Sequence, residues 1–234
     1  MGGRIIDISP RISPRLAVFP GDVAPTREVL FDMKRGDAIT LSALRATVHL
    51  GAHADAPSHY GRDGRTMEKQ PLDLYWGECE VIGVRAEACG AATGAAVKAD
   101  RVAGASGAAL RRIGRAHLAV ADAWAPACPR VLIATGSYPD SEKWTAEFCG
   151  IEPALVDWLA DRGVKLVGVD TPSVDCADSK DLPAHQRFLA RDVAIVEGLV
   201  LRGVPPGRYE LCALPLALEG FDGSPVRAAL RALK

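Results

Sequence analysis

The feature that most narrows the fold is the alternation of element types between residues 130 and 170. Arg130–Ala134 (R-V-L-I-A) reads as a buried strand that stops at Thr135-Gly136. Residues 152–162 (E-P-A-L-V-D-W-L-A-D-R) then carry apolar side chains at Leu155, Val156, Trp158 and Leu159. Pro153 near the start of this stretch and Gly163 just past its end suit the two boundaries of a helix. Residues 164–170 (V-K-L-V-G-V-D) form a further apolar strand, ending in the polar loop Thr171-Pro172-Ser173. Helix followed by strand predicts an α/β fold in which functional loops gather at strand ends.

Elsewhere the pattern is of strands and loops. The short apolar runs at 5–8 and 16–19 end at Ser9-Pro10 and Pro20-Gly21-Asp22, which is turn chemistry. Period-2 apolar positions over 39–50 predict a half-buried strand, and 79–84 (C-E-V-I-G-V) another. Residues 194–201 and 209–218 read as closing strands. The stretch 86–128 is dominated by alanine, glycine and arginine; a helix is expected over 106–113, with glycines working against it. There is no internal repeat and no linker, so 1–234 reads as one domain, a size that fills a single core.

A formal net charge of −1 gives no electrostatic reason to expect nucleic acid or an anionic membrane as partner. No apolar run has the length of a membrane span, and the opening residues lack the apolar core of a signal peptide. A cytoplasmic protein is the expectation. The six cysteines include no C-x-x-C pair and are spaced too widely for a structural zinc site. They are expected to be buried small hydrophobes rather than a disulfide framework.

The chemistry gathers elsewhere. Of only five histidines, three fall within 49–59 (H-L-G-A-H-A-D-A-P-S-H), together with Asp55. Chance explains any two of them, but it strains to explain three plus an aspartate in eleven positions. Imidazole and carboxylate are the donors of zinc, manganese and iron sites. Gly51 and Pro57 favour a strand end over a helix, and no glutamate follows His49, so this is not the helical H-E-x-x-H of metalloproteases. His59, beyond the tight H-x-x-x-H-x-D unit, suits proton transfer, with a further ligand role as the alternative. Two distant groups are weaker candidates. His185 is either a ligand or a helix-start histidine. Glu197, in the apolar run I-V-E-G, is either a ligand or the polar face of an edge strand. His117 has no partner nearby and reads as structural.

Several separated motifs resemble the bacterial kynurenine formamidases of the metal-dependent cyclase-like superfamily. They are F-P-G-D at 19–22, H-L-G-A-H-A-D-A-P-S-H-Y at 49–60, G-V-D-T-P-S-V-D at 168–175 and S-K-D-L-P-A-H at 179–185. I-V-E-G at 195–198, P-P-G-R-Y-E-L-C-A-L-P-L at 205–216 and S-P-V-R-A-A-L-R at 224–231 complete the set. The resemblance implies a single-domain, cyclase-like swivelling β/β/α fold. It implies two metal ions per subunit, zinc by family habit with manganese as the alternative. His49, His53 and Asp55 would bind one ion; Asp55 would also reach the second, joined by His185, with Glu197 touching both. His59 would be the proton donor and acceptor. The implied reaction is hydrolysis of N-formyl-L-kynurenine to L-kynurenine and formate by a metal-activated hydroxide. A cyclic amide or lactone hydrolase of the isatin-hydrolase kind is the alternative. Phe19 stands where the family has tryptophan lining the substrate pocket, which keeps an aromatic face and loses the indole N–H. The stretch 87–127 departs from the family and is expected to be an insertion outside the metal site. The partners implied are an aryl formamide substrate and a second copy of the chain, as a homodimer or dimer of dimers.

Overall fold

The computed structural model describes residues 3–85 and 112–233. Along the chain the strands are β1 (Ile5–Asp7), β2 (Thr26–Phe31), β3 (Leu41–Arg45), β4 (His53–Asp55), β5 (Trp76–Gly83), β6 (Arg112–Ile113) and β7 (Arg130–Ala134). They continue as β8 (Gly150–Ile151), β9 (Leu166–Val169), β10 (Ala194–Glu197), β11 (Gly207–Cys212), β12 (Gly223–Pro225) and β13 (Ala229–Ala232). Two α-helices, α1 (Pro153–Ala160) and α2 (Pro183–Arg191), complete the described elements of any length.

Nine strands form one sheet in the order β1-β13-β11-β5-β7-β9-β10-β4-β12. Its centre, β5-β7-β9-β10, is parallel, and both wings are antiparallel. Strands β9 and β10 are buried along their whole length, which is why they read as continuous apolar runs instead of alternating ones. Side chains still alternate between two cores. Val131, Ile133, Val167, Val169 and Ile195 face the helices, where Leu155, Val156 and Leu159 of α1 and Phe188 of α2 cover them. Leu132, Leu166 and Val196 face the other way, toward Ala54, Tyr75, Leu211 and Leu230. The sheet curls to enclose this second core with its own wings.

The α/β class is as read from 130–170, and α1 begins at Pro153 and closes before Gly163, whose φ is +82°. Two expectations need correction. The strand expected over 39–50 is limited to Leu41–Arg45, and it is exposed throughout instead of half-buried. Among the described residues it pairs only with β2, in a separate ribbon, and Leu30, Phe31, Leu41 and Leu44 are left exposed. Among the cysteines, Cys79, Cys128 and Cys212 are free thiols, but Cys149 is disulfide-bonded. The helix expected over 106–113 lies largely outside the described residues; its end, Arg112–Ile113, is strand β6. No helix among the described residues is long and apolar enough to cross a membrane.

Gly198 ends β10 directly after Glu197 with φ +65°, and a Cβ there would lie 2.0 Å from the carbonyl oxygen of Gly51. Both the left-handed backbone and the close approach demand glycine. Gly198→Ala is expected to cost about 2 kcal/mol or more. The cost should be visible as a lower urea midpoint at unchanged slope; a midpoint equal to the parent's would refute the packing argument.

Candidate metal centre

Strand β4 and its two flanking residues, Ala52-His53-Ala54-Asp55-Ala56, alternate: the alanines enter the core while His53 and Asp55 share the opposite face. Strand β4 lies between β10 and β12. Its pairing with β10 places Glu197 directly across from His53, and its pairing with β12 places Gly223 across from Asp55. Strand register therefore sets His53, Asp55 and Glu197 side by side, all buried. His185 arrives from another direction, as the third residue of α2. Asp175 holds it there by accepting from the Ala184 and His185 amides at 3.1 and 3.0 Å and from His185 Nδ1 at 2.9 Å. One carboxylate thus caps the helix and orients the imidazole.

The outer partners decide which ring nitrogens are free. An ionised carboxylate and a carbonyl oxygen only accept, so His185 Nδ1 donates to Asp175, and His53 Nδ1 donates to the Gly51 carbonyl at 2.9 Å. In the neutral tautomers so defined, both Nε2 atoms carry the lone pair and face carboxylate oxygens. His53 Nε2 is 3.5 Å from Asp55 Oδ1 and 3.3 Å from Glu197 Oε2. His185 Nε2 is 3.4 Å from Asp55 Oδ2 and 3.6 Å from Glu197 Oε1. Each carboxylate therefore divides its two oxygens between the two histidines. His49 has a carboxylate at both edges, Asp55 Oδ1 at 3.0 Å from Nδ1 and Asp222 Oδ2 at 3.0 Å from Nε2. A neutral imidazole has a single N–H, so one of these edges requires a second proton or a cation.

The protein's own charges express the same surplus of negative charge. Burial disfavours protonation of His49 and His185, yet their carboxylate partners outweigh it and push them to about 9 and about 10. Burial would raise Asp175, but hydrogen bonds from His185 and Arg112 hold it at about 2. Asp55 is buried, and its Oδ2 has no hydrogen-bond donor. A buried anionic oxygen without a donor is costly, and a cation between these lone pairs answers it. Two sets of donor atoms lie within 4.8 Å of one another, His49–Asp55–His59 and His53–Asp55–Glu197, with His185 Nε2 beside Asp55 and Glu197; such nitrogens and oxygens fit a divalent ion of the zinc or manganese kind.

The cluster opens on a cavity of about 960 Å³. His59 borders it with its Nδ1 3.1 Å from Asp222 Oδ2 and its ring 4.0 Å from that of His49, centroid to centroid. Phe19 lines the same space and meets Trp144 edge to face at 4.8 Å. All the residues singled out from sequence are thus brought to one place. Three that sequence reasoning missed are Asp222, Asp175 as the partner of His185, and Trp144. Asp222 lies in F-D-G-S-P, 163 residues beyond its partner His59, with no local signal. The described part of 87–127 is also not remote from the site: Arg112 donates to Asp175 Oδ1 at 2.8 Å. His117 keeps a structural role, accepting from the Gly114 amide at 2.9 Å.

A model of the family described as "Putative cyclase" matches residues 6–176. The chain belongs to the cyclase family. Among solved structures, a "potential metal-dependent hydrolase with cyclase activity" superposes with a TM-score of 0.73 at 25% identity, over 99% of this chain and 98% of that one. A "predicted metal-dependent hydrolase" from Bacillus stearothermophilus gives a TM-score of 0.72 at 25% identity, with 99% of both chains covered. An isatin hydrolase A from Ralstonia solanacearum shares the cyclase fold at 20% identity, TM-score 0.71, over 98% and 92% of the two chains.

If Asp175 orients His185, Asp175→Asn should weaken divalent-metal affinity by about 10–100-fold. Competition against a chromophoric chelator measures this, and unchanged affinity would remove Asp175 from the centre.

Proposed function

We propose that this cyclase-family chain is a metal-dependent amidohydrolase that converts N-formyl-L-kynurenine to L-kynurenine and formate. The observation that carries the reading is the placement of an oriented, half-exposed His59 beside the histidine–carboxylate cluster in one aromatic-walled cavity. His49, His53 and Asp55 would hold one ion, and Asp55, His185 and Glu197 a second, with zinc the proposed metal. The divided oxygens of Asp55 and Glu197 support the count of two. An ion bound there supplies a water acidified from a pKa of about 15.7 to about 7 and polarises the amide oxygen.

The chain's own residues do the rest. His59 donates Nδ1–H to Asp222, so its Nε2 is free to take up a proton and return it to the anilide nitrogen as the C–N bond breaks. Without that proton an amine leaves poorly. Phe19 and Trp144 offer a ring face and an adjoining indole for the aryl group, so the cavity contains the indole that Phe19 itself lacks. Arg85 and Arg202 line the same cavity, and among the described residues no carboxylate pairs with either. Guanidiniums lining the cavity favour a substrate that carries a carboxylate, as N-formyl-L-kynurenine does, over neutral isatin. Opening of a cyclic amide is the alternative, and the isatin-hydrolase fold likeness is its support. A homodimer is the assembly we infer, the uncovered apolar ribbon β2–β3 being its support.

The zinc-loaded protein is expected to turn over N-formyl-L-kynurenine faster than isatin in side-by-side assays; the reverse ranking would transfer the function to ring opening. His59→Ala should keep its zinc while kcat falls about 10²–10⁴-fold. Full turnover by the metal-loaded variant would exclude His59 from the chemistry.

A further inference from the structure

We propose that Asp222 is a positioning residue whose single carboxylate oxygen sets both the metal-binding edge of His49 and the proton-transfer edge of His59. This rests on the reading of the site as a metal-dependent hydrolase. Asp222 Oδ2 lies 3.0 Å from His49 Nε2 and 3.1 Å from His59 Nδ1, between two rings whose centroids are 4.0 Å apart. A carboxylate only accepts, so both nitrogens donate to it. His49 then keeps Nδ1, 3.0 Å from Asp55 Oδ1, as its lone pair for an ion. His59 keeps Nε2 as its lone pair for a proton. Two tautomers, one for each half of the chemistry, follow from one oxygen.

The backbone makes this oxygen a fixed reference point. The Asp222 carbonyl accepts from the Ala56 amide at 2.9 Å, and the next residue, Gly223, enters the β12–β4 ladder opposite Asp55. Gly223 also leaves room for the ring: a Cβ there would lie 2.8 Å from His49 Cε1. His49 is therefore packed against the strand that presents its own acceptor. His59 sits in the one-turn 3₁₀ segment Pro57–His59, and no other side-chain hydrogen bond orients its ring among the described residues.

The test uses the full-length zinc protein with Asp222→Asn and Asp222→Glu, and three readouts. The first is zinc stoichiometry at saturation together with affinity by chelator competition. The second is the His59 tautomer by ¹⁵N-histidine NMR. The third is kcat and KM on para-substituted formanilides of differing aniline basicity. For Asp222→Asn the expected result is full stoichiometry, about 10–100-fold weaker zinc and loss of the fixed Nδ1–H tautomer of His59. Its kcat should fall with KM little changed, most steeply for the most basic aniline, because that leaving group depends most on the delivered proton. Asp222→Glu should recover part of each.

The proposal is overturned if Asp222→Asn leaves zinc affinity and the His59 tautomer unchanged. It is equally overturned if saturating zinc no longer reaches full stoichiometry, which would make Asp222 a ligand instead. Inactivity of the wild type on every formanilide would sink the amidohydrolase reading alone, since affinity and tautomer still decide the role of Asp222.

Discussion

Two buried carboxylates on neighbouring strands, Asp55 and Glu197, set the terms for the whole molecule. Glu197 Oε1 accepts from the Val174 amide at 2.7 Å and Asp55 Oδ1 lies 3.0 Å from His49 Nδ1, but Asp55 Oδ2 has no donor, and two buried negative charges this close call for a cation between them. The fold has to hold that arrangement by other means, and it does so with main-chain pairing. Strand β4 is hydrogen-bonded on both sides, to β10 and to β12, so His53 and Asp55 have no freedom to move apart from Glu197. Gly198 permits this closeness by letting the end of β10 turn against the Gly51 carbonyl.

Around that pair the surrounding groups repeat one device, an outer acceptor that selects a ring tautomer. Asp175 does so for His185, the Gly51 carbonyl for His53, and Asp222 for His49 and His59. Asp175 also caps α2 and pairs with Arg112, so the helix, the imidazole and strand β6 are tied to one carboxylate. Organising the site and stabilising the fold are here the same set of hydrogen bonds. The alternation of alanine with histidine and aspartate in β4 has the same double character, one face filling the core and the other building the cluster.

Much of this was legible in the residues themselves. The buried strands β7 and β9 and the helix between them could be read because apolar runs, proline and glycine act locally. The run 49–59 announced its chemistry because four donors in eleven positions is a local signal. His185 and Glu197 were far weaker candidates until the resemblance gave them roles, since a lone histidine at a helix start has many ordinary explanations. The strand expected over 39–50 reads as half-buried because a period-2 pattern reports amphipathicity and not whether anything is there to cover the face.

By itself the sequence determined the α/β class and singled out His49, His53 and Asp55, with His59 just beyond them, as the local cluster of candidate metal-site residues. The tertiary structure decided how the remote groups are brought to the cluster, and it alone brought in Asp222 and Trp144. Glu197, Asp222 and Trp144 reach the site through strand register and loop packing, and contacts between residues far apart in the chain leave no trace in local spacing. Asp222 marks that limit best. Its identity matters only because β12 pairs with β4 one residue later, a long-range register that arises only when the whole sheet closes.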